Sequence, residues 1–456
     1  MTVYNSNSIT EGVIWKQLLK FFFPILLGTF FQQLYNTADA IIVGHFLGPQ
    51  ALVAVGGGTA TAINLLIGFF VGLSSGASVI ISQYYGAKDN TNIEKSIHNA
   101  FALAIVGGFI ISVLGYISSE ALLKILNTPE DAFTQALSYM RIYFAGSIIV
   151  VIYNIGSGIF RAIGDSKSPL YFLIIGCLVN IILDIIFISI LKMDVEGAAI
   201  ATLISQFVSL FLVVWKLTKR NDSCKLYFRK IKFDKIILNK TIRIGIPAGI
   251  QSVMYSISNL FIHSYINKFG TITSAAWSAY GKLDSLFWMI INAYGLSITT
   301  FVGQNYGAGK INRAKKGVTT CLGLSLVTTL ILELVFVFFG KYGLALFTTD
   351  LDVIQVGQEV INTIAPTFFT YICVEILSGA IRGTGKAFIP TLFSVFGICG
   401  VRILWLLLLP EMQFMSYNLK NLILCYPITW IITSLLFVFY YKFGHIYGTD
   451  SSIRIS

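Results

Sequence analysis

Apolar residues run along this chain in long uninterrupted blocks, not in the alternation of strands or the narrow stripe of a surface helix. Twelve blocks can be drawn, at 17–45, 52–83, 96–118, 133–160, 168–191, 196–217, 242–267, 273–304, 315–339, 353–381, 387–409 and 418–442. Each supplies the about 20 residues that a helix needs to cross a bilayer. None shows the roughly ten-residue alternation of membrane-barrel strands. The expected fold class is an all-α integral membrane protein with twelve transmembrane helices. The first block is too long for the apolar core of a leader peptide, and no small-residue cleavage site follows it, so it is expected to stay as the first span.

The pattern repeats. Gln83-Tyr84-Tyr85-Gly86-Ala87 closes the second block and Gln304-Asn305-Tyr306-Gly307-Ala308 closes the eighth, 221 positions later. The same offset carries Gly158-x-x-Arg161-x-x-Gly164, with Pro169, onto Gly379-x-x-Arg382-x-x-Gly385, with Pro390. Two unrelated motifs at one offset mark an internal duplication. Six blocks per copy is an even number, so both copies enter the membrane in the same sense. The expectation is two six-helix bundles, 1–218 and 242–456, joined by a basic cytoplasmic linker at 219–241. A pseudo-twofold axis would relate them along the membrane normal.

Charge then orients the chain. Of 32 Lys and Arg, the ends and loops on the side of the N-terminus hold 24; the opposite side holds Lys124, Lys192, Lys268, Lys341 and Lys420. This asymmetry places both termini in the cytoplasm of a multi-pass protein of the cell membrane. It also accounts for the net charge of +11 without a nucleic-acid partner. The charged fraction, 12%, is half that of a soluble domain, about 25%. The 40 Gly suit helices that pack closely in lipid.

Few catalytic signatures survive inspection. The six Cys have no C-x-x-C spacing, and the four His form no metal-binding pair, so neither a disulfide framework nor a metal centre is expected. A Walker loop requires GxxxxGK[ST]; Gly379 to Ala387 has the wrong spacing and no hydroxyl. No enzyme activity and no cofactor are expected, and an ion gradient remains as the energy source.

The informative residues are polar groups inside apolar blocks, which are costly there and mark function by default. In the stretch Phe30 to Gly48, Gln32, Asn36 and Asp39 fall at i, i+4 and i+7. In the fifth block, Asn180 and Asp184 share a face, and Thr202 lies in the sixth. At a rise of about 1.5 Å per residue, Asp39, Asp184 and Thr202 all lie roughly 9–10 Å from the outer face. Two carboxyls, an amide and a hydroxyl at one depth are the oxygen set of a Na⁺ site or a proton relay, and two close carboxylates tend to share a proton. Asp39, Asn180, Asp184, Thr202 and Asn36 are therefore the candidate ion-coupling residues. The second copy replaces them with residues such as Ile262, Val401 and Trp405, and carries Lys282, Asp284 and Arg402 instead. An Asp284–Arg402 ion pair, a local pairing of Asp165 with Arg161 or Lys167, and snorkelling or local pairing of Glu333 and Glu375 are the expected structural roles; Arg141 either snorkels or serves the two acids as counter-ion. Gln32, Tyr35, Tyr255, Lys282, Asp284 and Trp288 form a candidate substrate cavity, where aromatic faces would suit cations.

Taken together, the two six-span halves, the YNTADAIIVGHFLG stretch, the QYYGA and QNYGA endings and the paired GxxRxxG…P turns resemble the multidrug and toxic compound extrusion family, closest to its MepA-like bacterial branch. The resemblance implies export of cationic drugs or dyes in exchange for H⁺ or Na⁺. It maps the family's first-bundle ion site onto Asp39, Asn180, Asp184 and Thr202. Relatives of the NorM type carry an acid in the seventh span, where this chain reads Ser252-Val253-Met254-Tyr255-Ser256. The reading is a monomeric secondary antiporter; the alternative is a flippase for lipid-linked precursors in the same fold group.

Overall fold

The computed structural model describes residues 9–411 and 416–447, and helices account for nearly all of them. The first copy comprises α1 (Ile14–Leu47), α2 (Pro49–Gly86), α3 (Asn90–Ile125), α4 (Glu130–Ala145 with Ser147–Ala162), α5 (Lys167–Ile190) and α6 (Val195–Thr218). The second comprises α7 (Lys235–Asn267), α8 (Thr271–Gly307), α9 (Ile311–Ala345), α10 (Leu351–Gly383), α11 (Phe388–Glu411) and α12 (Leu419–Phe443). Ten of these are long and apolar enough to span a bilayer unaided, and α4 is a pair bent by 51°. The remaining helix, α7, has the length of 33 residues but carries Gln251, Ser252, Ser256, Ser258 and Asn259 along its middle.

The chain condenses into two compact units. Unit one comprises Lys20–Val253; unit two comprises Ile9–Leu19 with the chain from Met254 onward. Within unit two, the segment before α1 is tied to the start of α9. Arg313 donates to the carbonyls of Gly12 (2.8 Å), Glu11 (2.7 Å) and Ile9 (3.2 Å), and Lys310 donates to that of Thr10 (3.0 Å).

Both duplicated motifs form the same structure twice. At the end of α2, Ala87, Lys88 and Asp89 donate back to Gln83, Tyr85 and Tyr84; at the end of α8, Ala308, Gly309 and Lys310 repeat the set with Gln304, Tyr306 and Asn305. The positive φ that closes these ends falls on Lys88 (57°) and Gly309 (70°), not on the motif glycine, which is the last helical residue. In the other motif the left-handed residues are Gly164 (φ 91°) and Gly385 (φ 92°), a conformation that glycine adopts without steric cost. Pro169 and Pro390 then sit in the first turns of α5 and α11.

Inside unit one, α2 and α7 cross on glycine. A Cβ at Gly72 would stand 2.4 Å from Gly249 N, and one at Gly76 would stand 2.4 Å from Thr241 O. From the other side, a Cβ at Gly245 would meet Leu73 O at 2.8 Å, and one at Gly249 would meet Phe69 O at 2.7 Å. Glycines four apart on both helices bring the two backbones into contact, the small-residue packing that membrane helices use in place of hydrophobic driving force.

The basic linker is folded against α3. His98 Nε2 accepts from Tyr227 N (3.0 Å), and its ring stacks on Tyr227. Asn99 Oδ1 accepts from Asp234 N (3.1 Å), and Lys230 pairs with Glu94 at 2.5 Å. Arg220 pairs with Asp222. Burial opposes the charge on Asp222, but the Arg220 guanidinium and the Cys224 N–H outweigh it and hold the carboxyl below its usual range.

Two expected roles change, those of Asp165 and Glu333, and for Arg141 one of two alternatives is taken. Asp165 pairs with neither Arg161 nor Lys167; it accepts from Ser168 N at 3.0 Å and lies 3.5 Å from Lys216 on α6. Packing of α5 on α6 brings a cation from 51 residues away closer than the local ones. Arg141 takes the outward course, lying 3.9 Å from Glu120 on α3 and over Tyr116. Glu333 does not snorkel. It is buried, and its Oε1 accepts from Phe369 N at 2.8 Å, where α10 tightens into a 3-10 stretch at Ala365–Tyr371 behind Pro366. Glu375 keeps a local partner, Tyr371 OH at 3.5 Å.

Candidate functional site

Four of the candidate ion-coupling side chains lie buried in unit one. Asp39 of α1 is 7% exposed, Asn180 and Asp184 of α5 are fully covered, and Thr202 of α6 is 5% exposed. Asp39 and Asp184 are direct electrostatic neighbours. Tyr35, one turn before Asp39, reaches Thr202 and stands beside both acids. Asn180 lies one turn before Asp184 on the same face of α5. Immediately after Asp184 the helix widens into a π-helical stretch, Ile185–Ile190, a distortion frequent at functional positions.

The hydrogen-bond state of this cluster is its main chemical feature. Asp39 Oδ1, both oxygens of Asp184, both amide atoms of Asn180, Thr202 Oγ1 and Tyr35 OH are buried and find no hydrogen-bonding partner outside the cluster, within which Asp39 faces Asp184 and Tyr35 faces Thr202. Buried polar atoms are ordinarily paired, and each one left unpaired costs about 1–3 kcal/mol. Among the described residues no Lys, Arg or His forms an ion pair with either acid. A small cation, or a proton together with water, has the chemistry to complete such a set of oxygens.

Not every residue of the expected set joins it. Asn36 is exposed, and Gln32 is half-buried. The reason is azimuth. At 100° per residue Tyr35 and Asn36 lie about 40° and about 60° from Asp39 on opposite flanks of α1, and packing turns the Tyr35 flank inward and leaves Asn36 exposed. Tyr35, expected among the cavity residues, thus stands beside the acid cluster. Tyr139 of α4, absent from the expected set, is also buried beside Asp39 and Asp184. Its only sequence signal is a hydroxyl within an apolar span, four residues before Tyr143.

In unit two the expected Asp284–Arg402 pair does not form. Asp284 is satisfied by its own helix: Tyr280 OH donates to Oδ1 at 3.0 Å and Trp288 Nε1 to Oδ2 at 2.6 Å. Aromatic donors at i−4 and i+4 reach the carboxylate before any cation on another helix. Arg402 is buried and contacts Ser258, Asn259 and the face of Tyr426. Lys282 is exposed, and Tyr255 and Trp288 are half-buried.

The family model MatE matches this chain twice, over residues 24–186 and 247–407, one match per copy. The chain belongs to the MatE family. The multidrug resistance protein YpnP of Bacillus subtilis, described as probable, is a relative 30% identical over 95% of this chain and 96% of its own. A second relative, the FAD transporter of Shewanella oneidensis, is 26% identical over 93% of each chain. The solved structure of a MOP superfamily transporter from Pyrococcus furiosus superposes with a TM-score of 0.91 at 22% identity, covering 98% of this chain and 100% of its own. The twelve-helix MatE fold is therefore the fold of this multi-pass membrane protein.

Proposed function

We propose that this chain is a secondary active antiporter of the cell membrane that exports organic cations or drugs in exchange for H⁺ or Na⁺. It works as a monomer, with both termini cytoplasmic and with residues 1–218 and 242–456 as its two moving halves. Family membership supports transport, and the names of relatives support multidrug export. The observation that carries coupling is the buried, unpartnered cluster of Asp39, Asp184, Asn180 and Thr202.

The mechanism follows from occupancy. With the site empty, two adjacent carboxylates repel in a medium of low dielectric. A bound cation, or a proton on one carboxyl, removes the repulsion and supplies the missing partners. Loading therefore pulls α1 onto α5 and α6, and unloading releases it. An ion biases an equilibrium only by its differential affinity for the two states, and this cluster offers it one closed and one open coordination. Cargo binds elsewhere, on aromatic and acidic groups such as Asp284 and Trp288.

The test is efflux of ethidium from proteoliposomes, with proton and sodium gradients imposed separately. Asp39→Asn and Asp184→Asn are each expected to abolish gradient-driven efflux. Retention of that efflux in both variants overturns the reading.

A further inference from the structure

Unit two buries a guanidinium that forms no ion pair with an acid among the described residues. Arg402 is 3% exposed. Its Nη1 has two long contacts to neutral acceptors, Ser258 Oγ at 3.4 Å and Asn259 Oδ1 at 3.3 Å. The ring of Tyr426 lies 4.4 Å from the guanidinium carbon. Nε is buried without a partner. Among the described residues no carboxylate forms an ion pair with it. The acids that share its surroundings are engaged elsewhere, Asp284 by Tyr280 and Trp288 and Glu375 by Tyr371.

A charge buried this way is expensive unless something pairs with it. The surroundings show where a partner enters. Asn259 is exposed, and Tyr426 and Tyr255 are half-buried, so the guanidinium lies one side chain below the surface. The segment preceding it, Ser394–Gly400, is π-helical, as is the stretch beside Asp184 in the corresponding helix of the first copy. The sequence position has no equivalent in that copy, where the aligned residue is Ile181.

We propose that Arg402 is a recognition site for an oxyanion carried by the cargo, a carboxylate or a phosphate. Ser258 and Asn259 contact Nη1 and Tyr426 lies on the face of the guanidinium, which leaves the buried, unpartnered Nε as the donor that the ligand completes. Arginine suits this task because its planar fork matches both groups. The cargo class is then a planar amphiphile that carries an oxyanion, zwitterionic where it also bears an amine for the acids of the same unit. This deepens the drug-export reading and rests on it for the identity of the ligand as cargo.

The test uses purified full-length protein in nanodiscs and equilibrium dialysis, with no gradient, so that failed ion coupling does not affect it. Two matched fluorescent pairs serve as probes: norfloxacin against its ethyl ester for the carboxylate, and FMN against riboflavin for the phosphate. One charge-assisted hydrogen-bonded contact is worth about 10- to 100-fold in affinity. The wild type is expected to prefer norfloxacin, or FMN, over its neutralised partner by about tenfold or more; the pair that shows the preference identifies the oxyanion. Arg402→Gln is expected to erase that preference while leaving the ester or riboflavin within about twofold, and Arg402→Lys to keep part of it. Equal binding within both pairs by the wild type overturns the proposal whether or not the variants fold. A preference unchanged in Arg402→Gln, or no binding of either anion, does the same.

Discussion

Replacing Gly72 by alanine adds one methyl group at the point where α2 touches α7. The added Cβ would stand 2.4 Å from Gly249 N, 2.5 Å from Gly249 Cα and 2.6 Å from Ala248 C. All three are backbone atoms, so no side chain can rotate away. Ordinary contact begins at 3.4 Å, and the two helices must therefore part by about 1 Å. A gap of 0.5–1 Å already forfeits a quarter to a half of a contact's attraction. The neighbouring approaches at Gly68 and Gly76 loosen with it. Overpacking of this kind costs about 1–3 kcal/mol, against which the better helix propensity of alanine returns at most about 1 kcal/mol. Gly323 in α9 provides the control, because a Cβ there meets nothing within 4 Å; the same substitution keeps its propensity gain without the clash. The assay is thermal unfolding of the purified protein in detergent, followed by tryptophan fluorescence. Gly72→Ala is expected to unfold below the wild type and Gly323→Ala at or above it. If Gly72→Ala unfolds at or above Gly323→Ala, the backbone contact between α2 and α7 does not stabilise the fold as argued.

Glu333→Ala removes the acceptor of Phe369 N–H at the 3-10 stretch of α10 and should lower stability by about 1.5–3 kcal/mol, whereas Glu333→Gln, which keeps an oxygen there, should recover most of it; both are read as unfolding midpoints. Asp284→Ala should destabilise by about 1–3 kcal/mol, since it orphans the Trp288 and Tyr280 donors. Asp184→Asn removes a charge that faces Asp39 and keeps an oxygen and a donor there, so it should leave the unfolding midpoint unchanged or higher while abolishing gradient-driven efflux.

How much of this was visible in the residues depends on what fixes each feature. Lipid leaves the backbone no partners but its own, so long apolar blocks had to be helices, and the offset of 221 disclosed the duplication without any structure. Depth was equally legible, because rise per residue is fixed: Asp39, Asp184 and Thr202 were selected on it, and all three are buried in one unit. Azimuth was not. Tyr35 and Asn36 are adjacent in sequence and nearly equivalent on a helical wheel relative to Asp39, and only the packing of α1 on its neighbours decides which turns inward. Pairing was the least legible property. Asp165 had two basic residues nearby and took Lys216 from another helix; Asp284 was expected to take Arg402 and took two aromatic donors from its own helix. The glycines of α2 and α7 were plain in the sequence, but nothing in it says which helix a glycine ladder will meet.

The two copies show what duplication leaves fixed and what it frees. Helix ends and turns recur at the same offset with the same hydrogen bonds, since each is set by a few local residues and serves any six-helix bundle. The buried polar groups do not recur, and they differ in kind. Unit one keeps carboxyls whose oxygens the protein leaves unpartnered; unit two holds a carboxylate that its own helix has satisfied and an arginine that it has not. Unsatisfied buried charge destabilises a fold, so its retention in one half as acid and in the other as base requires a benefit outside the folded chain itself. In the proposed reading a cation for the first and an anion for the second would supply that benefit in the same way. Each ligand would complete a set of partners that the protein leaves incomplete, and the free energy of completing it would become available to change the conformation.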